Sequence, residues 1–300
     1  MIRRRIKALV TRLKRYPLIS RLDWQLYLLR DMWSTKVWTH TKGVVTPFGF
    51  KLTTRAHRVY ALMRTGKFEP DEIRIFVKLL NITDVFVDIG ANIGYYCCLA
   101  LQQNKSVLAI EPQLQNLDCL YQNLTSNGWQ DRTEVFPVAL SSTPGLLSLY
   151  GASGPSASLV RHWAGYSSRF KQIVPVNTLD NLLSGRFLSE RLIIKIDVEG
   201  AEFQVLEGAL ATIARLPKPI WLIEVCFREY HPSGINPDLL KIFQLFWDNS
   251  YNSYGADAKY SAVLPDDVKR WLATGVRDLQ TFNYVFIDNA ADLPALLNEL

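Results

Sequence analysis

The stretch Val85-Phe-Val-Asp-Ile-Gly-Ala-Asn-Ile-Gly94 places an acid and two glycines where an apolar run gives way to a new pattern. A buried strand ending in Asp88, a turn through Gly90 and a helix entered at Gly94 would bring backbone close to a ligand and offer it free N–H groups. Ala91 and Asn92 fill that turn. A dinucleotide fingerprint reads G-x-G-x-x-G, whereas here Asn92 holds the middle position and the spacing is G-x-x-x-G. Asp88 sharpens the distinction. A carboxylate beside this turn repels a pyrophosphate but suits a ligand carrying an ammonium and a sulfonium. That charge logic favours S-adenosylmethionine over a nicotinamide cofactor.

Two further segments carry acids at strand ends. Glu111 lies 21 residues after Gly90, where doubly wound folds place an acid on ribose hydroxyls. Both cofactors need such a group, and a solvated acid capping a helix before Pro112 explains it equally well. In Ile193-Ile-Lys-Ile-Asp-Val-Glu-Gly-Ala-Glu202, strand periodicity puts Lys195 and Asp197 on one face of an otherwise apolar strand. Charges there must be paired or exposed at a site. A structural ion pair is the plainer reading of K-x-D alone. If the strands bearing Asp88 and Asp197 are neighbours at a topological switch point, the two acids flank one crevice beyond the strands' carboxyl ends.

The elements that would position these residues alternate along the chain. Strands are expected at Val85–Ile89, Val107–Ile110, Val135–Leu140, Leu192–Ile196, Ile220–Val225 and Asn283–Asp288. Helices are expected from about Gly94, over Gln113–Asn127 with Gly128 as its stop, from about Gly200, and near Asp238–Asn249. Strands alternating with helices indicate an α/β fold with a mostly parallel, doubly wound sheet covered on both faces. Ser141–Ser168, rich in Ser and Gly, breaks the alternation and reads as an insertion near 141–170. Upstream, 34–80 forms a mixed lid segment. It holds a β-like run, Gly43–Thr54, interrupted at Pro47 and Gly49, then a helix from Pro70 that ends before Asn81. The main domain is expected over 81–300.

Charge is unevenly placed. Residues 1–30 carry nine Lys/Arg and one acid, Asp23, a net of +8 against +6 for the whole chain, so the remainder sums to −2. A basic arm of that kind argues against a nucleic-acid groove spread over the domain. Ile2, Ile6, Leu9 and Leu13, then Leu18, Leu22, Leu29 and Trp33, give residues 1–33 an apolar stripe, as in a basic amphipathic helix. Residues 1–16 suit the surface of an anionic membrane; beyond Pro17 packing on protein is preferred. No run approaches the ~20 apolar residues of a transmembrane helix, and no signal peptide is read. Cys97, Cys98, Cys119 and Cys226 form no CxxC pair, which fits small buried hydrophobes in a reducing cytoplasm. The expected location is cytoplasmic, peripheral to the inner membrane face if the arm binds it.

From Gly66-Lys-Phe-Glu-Pro70 through D-I-G-A-N-I-G-Y-Y, A-I-E-P-Q, V-N-T-L-D180, K-I-D-V-E-G-A-E and L-I-E-V225, the chain resembles the FkbM-type methyltransferase family. The resemblance spans roughly residues 65–226. It implies a seven-stranded class I methyltransferase fold, S-adenosyl-L-methionine as cofactor, and O-methylation of sugars or polyketide-type products. By position, Asp88, Gly90, Ala91, Asn92, Gly94 and Glu111 would line the cofactor site. Glu72 would close over it, or simply serve as a helix N-terminal acid. Ala139 and Ser141 would pass near the adenine.

The expected reaction is in-line displacement, in which the acceptor oxygen attacks the sulfonium methyl while the enzyme holds both in line. A sugar hydroxyl is weakly acidic, so a side chain must take its proton. Asp197 is the first candidate, with Glu199 and His231 behind it; Lys195 would orient Asp197 or bind the acceptor. A metal site from Asp197, Glu224 and His231 lacks any ligand spacing, so no metal is expected. Aromatic flanks (Trp163, Tyr166, Phe227, Tyr230, Trp247 and Tyr251) suit a sugar on a glycan or glycolipid precursor, or pack in the core, the preferred reading for Trp247. A polyketide acceptor, a nicotinamide-dependent oxidoreductase and a non-catalytic membrane-bound scaffold stay open as rivals. The oligomeric state is not readable from the sequence.

Overall fold

The computed structural model describes residues 43–55, 58–151, 156–169 and 171–299. The arm expected at 1–33 lies outside these residues. No helix among them is long and apolar enough to cross a membrane.

Seven strands make the main sheet: β1 Val85–Ile89, β2 Ser106–Ile110, β3 Thr133–Phe136, β4 Leu192–Ile196, β5 Ile220–Glu224, β6 Tyr251–Gly255 and β7 Asn283–Asp288. Their order is β6-β7-β5-β4-β1-β2-β3. The five strands from β5 to β3 run parallel. β7 is antiparallel to both of its neighbours. This is the doubly wound order of class I methyltransferases, with the chain moving outward in opposite directions from the β1/β4 seam. That seam is the switch point, where the loops after the two strands diverge and leave a crevice.

Burial follows from composition. β1 and β4 read Val-Phe-Val-Asp-Ile and Leu-Ile-Ile-Lys-Ile, and every residue of both is buried. Alternation sends Phe86 and Ile193 into one hydrophobic layer and Val85, Val87, Ile194 and Ile196 into the other. Asp88 and Lys195 fall on the Phe86/Ile193 face by the same period. Helices Pro70–Leu80, Tyr95–Gln102 and Leu114–Asn127 bury apolar residues in that layer. Gly128, in the left-handed region at φ 71°, stops the last of them as expected.

Three sequence-based expectations change. The third strand does not run to Leu140: it ends at Phe136, because Pro137 has no N–H to continue the ladder. Ala139–Leu140 instead pairs with Lys171–Asn177, which also pairs with Gly145–Tyr150, so a separate three-stranded sheet frames the expected excursion. β6 and the helix Pro265–Thr274 have no counterpart in the sequence-based elements. The segment Val44–Val45 and Lys51–Leu52 does form the interrupted hairpin.

Candidate active site

Register brings the charged residues of β1 and β4 together. Asp88 stands opposite Lys195. One step further, the Asp197 N–H donates to the Ile89 carbonyl at 3.0 Å. Gly90 turns at φ 87°, and a Cβ there would lie 2.0 Å from the Asp197 carbonyl oxygen. The glycine is therefore demanded by the approach of one strand end to the other. Gly94 is similar: a Cβ would meet Leu120 Cδ1 at 2.2 Å. At both positions the chain's own packing and a positive φ favour glycine.

Lys195 is buried, and its Nζ lies 2.7 Å from Asp197 Oδ2 and 4.7 Å from the centre of the Tyr96 ring. Burial alone would depress its pKa, but Asp197, Glu69 and Asp88 together hold it above the ordinary lysine value. It is a permanent cation. Asp197 is the partly exposed end of that pair, one residue past the carboxyl end of β4. Asp88 is buried and accepts a hydrogen bond from Cys97 Sγ at 3.0 Å. Burial pushes its pKa up to about 6, against the pull of Lys195. All four cysteines are buried and free.

The turn after β1 is held by Glu111 at the end of β2. Its two oxygens accept backbone hydrogens from Asn92 and Gln113, each at 2.8 Å. Asn92 sits at φ 52° and receives the Tyr60 hydroxyl at 3.0 Å. A carboxylate has about four lone-pair sites, so ribose hydroxyls can still be accepted. Ala91 is buried beneath the turn. Glu72 accepts the Thr281 hydroxyl at 3.3 Å, linking its helix to the segment before β7. Ala139 and Ser141 are buried in and beside the small sheet. The Ser141 N–H is spent on the Asn177 carbonyl, and its own carbonyl lies 2.3 Å from where a Cβ on Gly208 would be.

Beyond Asp197 the loop gathers more acids. Glu199, at φ 58°, accepts the Trp163 indole N–H at 2.7 Å, and its carbonyl accepts the Ser158 hydroxyl. Burial, then the Asp197 charge, pushes its pKa up to about 8. Glu202 is raised to about 7, mainly by burial, while accepting the Gly200 N–H at 2.8 Å. Glu224, at the end of β5, is raised well above the usual range by burial and by Asp197 and Glu199. His231 packs edge-on to Trp163 with ring centres 5.7 Å apart. Its Nδ1 accepts the Ser233 N–H at 3.2 Å, which in a neutral ring leaves the hydrogen on Nε2. Among the described residues no three His, Cys, Asp or Glu side chains are disposed to share a metal ion.

These carboxyls predict how stability depends on pH. Asp88, Glu111, Glu199 and Glu202 have pKa values raised to about 6, 7, 8 and 7. The folded chain therefore holds these protons more tightly than the unfolded chain, whose acids titrate near 4. Stability must fall as pH rises from about 4 to about 8, and then level off. Urea unfolding at pH 5.5 and 8.5 should give the lower midpoint at pH 8.5; a higher midpoint there would contradict these shifts.

The crevice thus combines two strand-end acids, a locked lysine and a left-handed turn at the head of a helix. A family model described as the methyltransferase FkbM domain matches residues 88–254, more than half of the chain. The chain belongs to the FkbM methyltransferase family. Hexuronic acid methyltransferase AglP of Haloferax volcanii is 26% identical over 166 residues, which cover 55% of this chain and 66% of that protein. Methyltransferase FkbM from Methylobacillus flagellatus KT, a crystal structure, is 18% identical with a TM-score of 0.42, covering 68% of this chain and 44% of that one. A SAM-dependent O-methyltransferase of Thermotoga maritima is 10% identical with a TM-score of 0.38, covering 82% and 76%. The chain spans just under two thirds of AglP and less than half of the Methylobacillus chain.

Within the FkbM segment several motif residues have structural work. Asp180 of V-N-T-L-D accepts the N–H groups of Ala211 and Thr212 and the Thr212 hydroxyl, at 2.9, 2.8 and 2.6 Å. It ties helix Leu179–Leu183 to helix Leu210–Ala214. Thr178 caps the former by accepting the Asn181 N–H. Sequence reasoning left Glu69 and Tyr96 without roles and read Trp163 as a sugar platform. Trp163 is instead fully buried, a wedge against Gly200 and a donor to Glu199. Phe227 and Tyr251 are buried too, whereas Tyr230 is exposed. The one signal for Trp163 was its place in a segment that interrupts the fold between β3 and β4.

Proposed function

We propose that this FkbM-family chain is an S-adenosylmethionine-dependent O-methyltransferase acting on a sugar hydroxyl of a glycan or glycolipid precursor. The observation that carries the reading is the in-register seam of β1 and β4, which sets Asp88, Lys195 and Asp197 around one crevice at the switch point. The donor set suits this cofactor. Asp88 offers negative charge for an ammonium, Glu111 offers lone pairs for ribose, and Gly90, Ala91, Asn92 and Gly94 shape the turn at the head of a helix. Glu72, Ala139 and Ser141 complete the proposed cofactor site. When bound, S-adenosylmethionine supplies an electrophilic methyl on a positively charged sulfur.

The chain's residues have three tasks. The turn and Glu111 would hold the cofactor beside the carboxyl ends of β1 and β2. Asp197, held by Lys195, would accept the proton of the acceptor hydroxyl as its oxygen takes the methyl and the sulfonium–methyl bond breaks to leave a neutral thioether. The Trp163 wedge and the buried acids of the β4 loop restrict water. A sugar acceptor is supported by the relative named for hexuronic acid methylation.

The test is transfer of a labelled methyl group from S-adenosylmethionine to a panel of neutral glycans, uronic-acid glycans and phenolic polyketides. Label should appear as an alkali-stable ether on a sugar. Label on the phenols alone would overturn the sugar assignment.

A further inference from the structure

Glu69 is a half-buried acid in a backbone conformation that side chains avoid, φ 41° and ψ 58°, directly before Pro70. A proline pushes the residue before it towards extended conformations, so the left-handed geometry is doubly unfavourable. Strain of this kind persists where surrounding contacts enforce it, and it clusters at functional sites. The enforcing contact is the buried Tyr96, whose hydroxyl donates to Glu69 Oε2 at 2.7 Å. The Tyr96 ring in turn lies over Lys195 Nζ, which pairs with Asp197. Glu69 is thus strapped from outside the sheet onto the carboxyl end of β4.

We propose that Glu69 is a cofactor-recognition residue, whose carboxylate beside the Lys195–Asp197 pair selects the positively charged sulfonium of S-adenosylmethionine over the neutral sulfur of its demethylated product. This rests on the methyltransferase reading above. Among the described residues Lys195 is the cation beside Glu69, and Asp197 already bonds to it. Glu69 therefore adds negative charge next to an ion pair that is already formed, and a bound sulfonium would offset it. The groups facing it are Lys195 and Asp197 from β4, Glu224 from β5, Tyr95 and Tyr96 from helix Tyr95–Gln102, and Glu72 from its own helix. Burial raises its pKa to about 7, so it sheds its proton near neutrality and a cationic ligand promotes that loss. Tight product binding is a common brake on methyl transfer, and a charge that disfavours the neutral-sulfur product relieves it.

The experiment is calorimetric titration of wild type, E69Q and Y96F with S-adenosylmethionine and S-adenosylhomocysteine at pH 6 and pH 8. Wild type should favour S-adenosylmethionine more strongly at pH 8 than at pH 6. At pH 8, E69Q should weaken S-adenosylmethionine about tenfold, the scale of one charge-assisted contact, while S-adenosylhomocysteine changes less than about threefold. Y96F keeps the acid but frees it, and should fall between the two. An affinity ratio in E69Q equal to wild type at both pH values overturns the Glu69 assignment alone. If E69Q does not fold, an unchanged ratio in Y96F does the same. Failure of wild type to bind either ligand overturns the methyltransferase reading itself.

Discussion

Asp197→Asn is expected to lower methyl transfer by roughly 10²–10⁴, the range for loss of a positioned general base, while leaving the chain folded. The substitution keeps shape and one acceptor oxygen, so the Lys195 contact at 2.7 Å can persist as an ordinary hydrogen bond. What it removes is the group that can take a proton. Asp197 is the partly exposed carboxylate one residue past the carboxyl end of β4, and its carbonyl packs on Gly90. The Glu199 carboxylate accepts the Trp163 indole N–H, and His231 directs Nδ1 to the Ser233 N–H. Those engagements place Asp197 first. Turnover of folded Asp197→Asn within about threefold of wild type would move proton acceptance to one of the other acids.

Lys195→Met is the second large effect. The side chain is buried, and it is the cation shared by Asp197, Asp88 and Glu69. Methionine fills a similar volume but leaves those carboxyls without their partner. Breaking a buried pair in this way costs about 3–5 kcal/mol. The cost depends on pH in a defined sense. Without Lys195, Asp88 and Glu69 hold their protons still more tightly, so the loss is smallest where these two are protonated and largest where wild type keeps them ionised. Urea unfolding should therefore show a larger drop in midpoint at pH 8 than at pH 5. An equal drop at both would mean that Lys195 stabilises by packing and not by charge.

Much of the fold was legible because β1, β2, β4 and β5 are short apolar runs of strand length between helical patterns. In these strands hydrophobic burial and local pattern agree. β6, Tyr-Asn-Ser-Tyr-Gly, escaped because an edge strand with polar residues has no such run; its pairing with β7 is what makes it a strand. The third strand was read too long because apolar character continues past Pro137 into a different sheet. At the site, Asp88, Lys195 and Asp197 could be placed together from period and topology alone. Glu69 could not, because an acid before a proline at a helix start is ordinary in sequence, and only the fold lays Tyr96 across it. Glu111 was expected at a ribose, but its bonds to the Asn92 and Gln113 amides depend on how two loops meet.

Binding of a cationic cofactor at the β1/β4 seam is tested most directly by calorimetric titration with S-adenosylmethionine and with NAD at pH 7.5. S-adenosylmethionine should bind stoichiometrically while NAD gives no measurable heat. Asp88→Asn, which removes one charge while preserving shape, should weaken S-adenosylmethionine by about 1.5–3 kcal/mol, the worth of a hydrogen bond to a charged group. Saturable binding of NAD without S-adenosylmethionine, or equal affinity of wild type and Asp88→Asn, would contradict it.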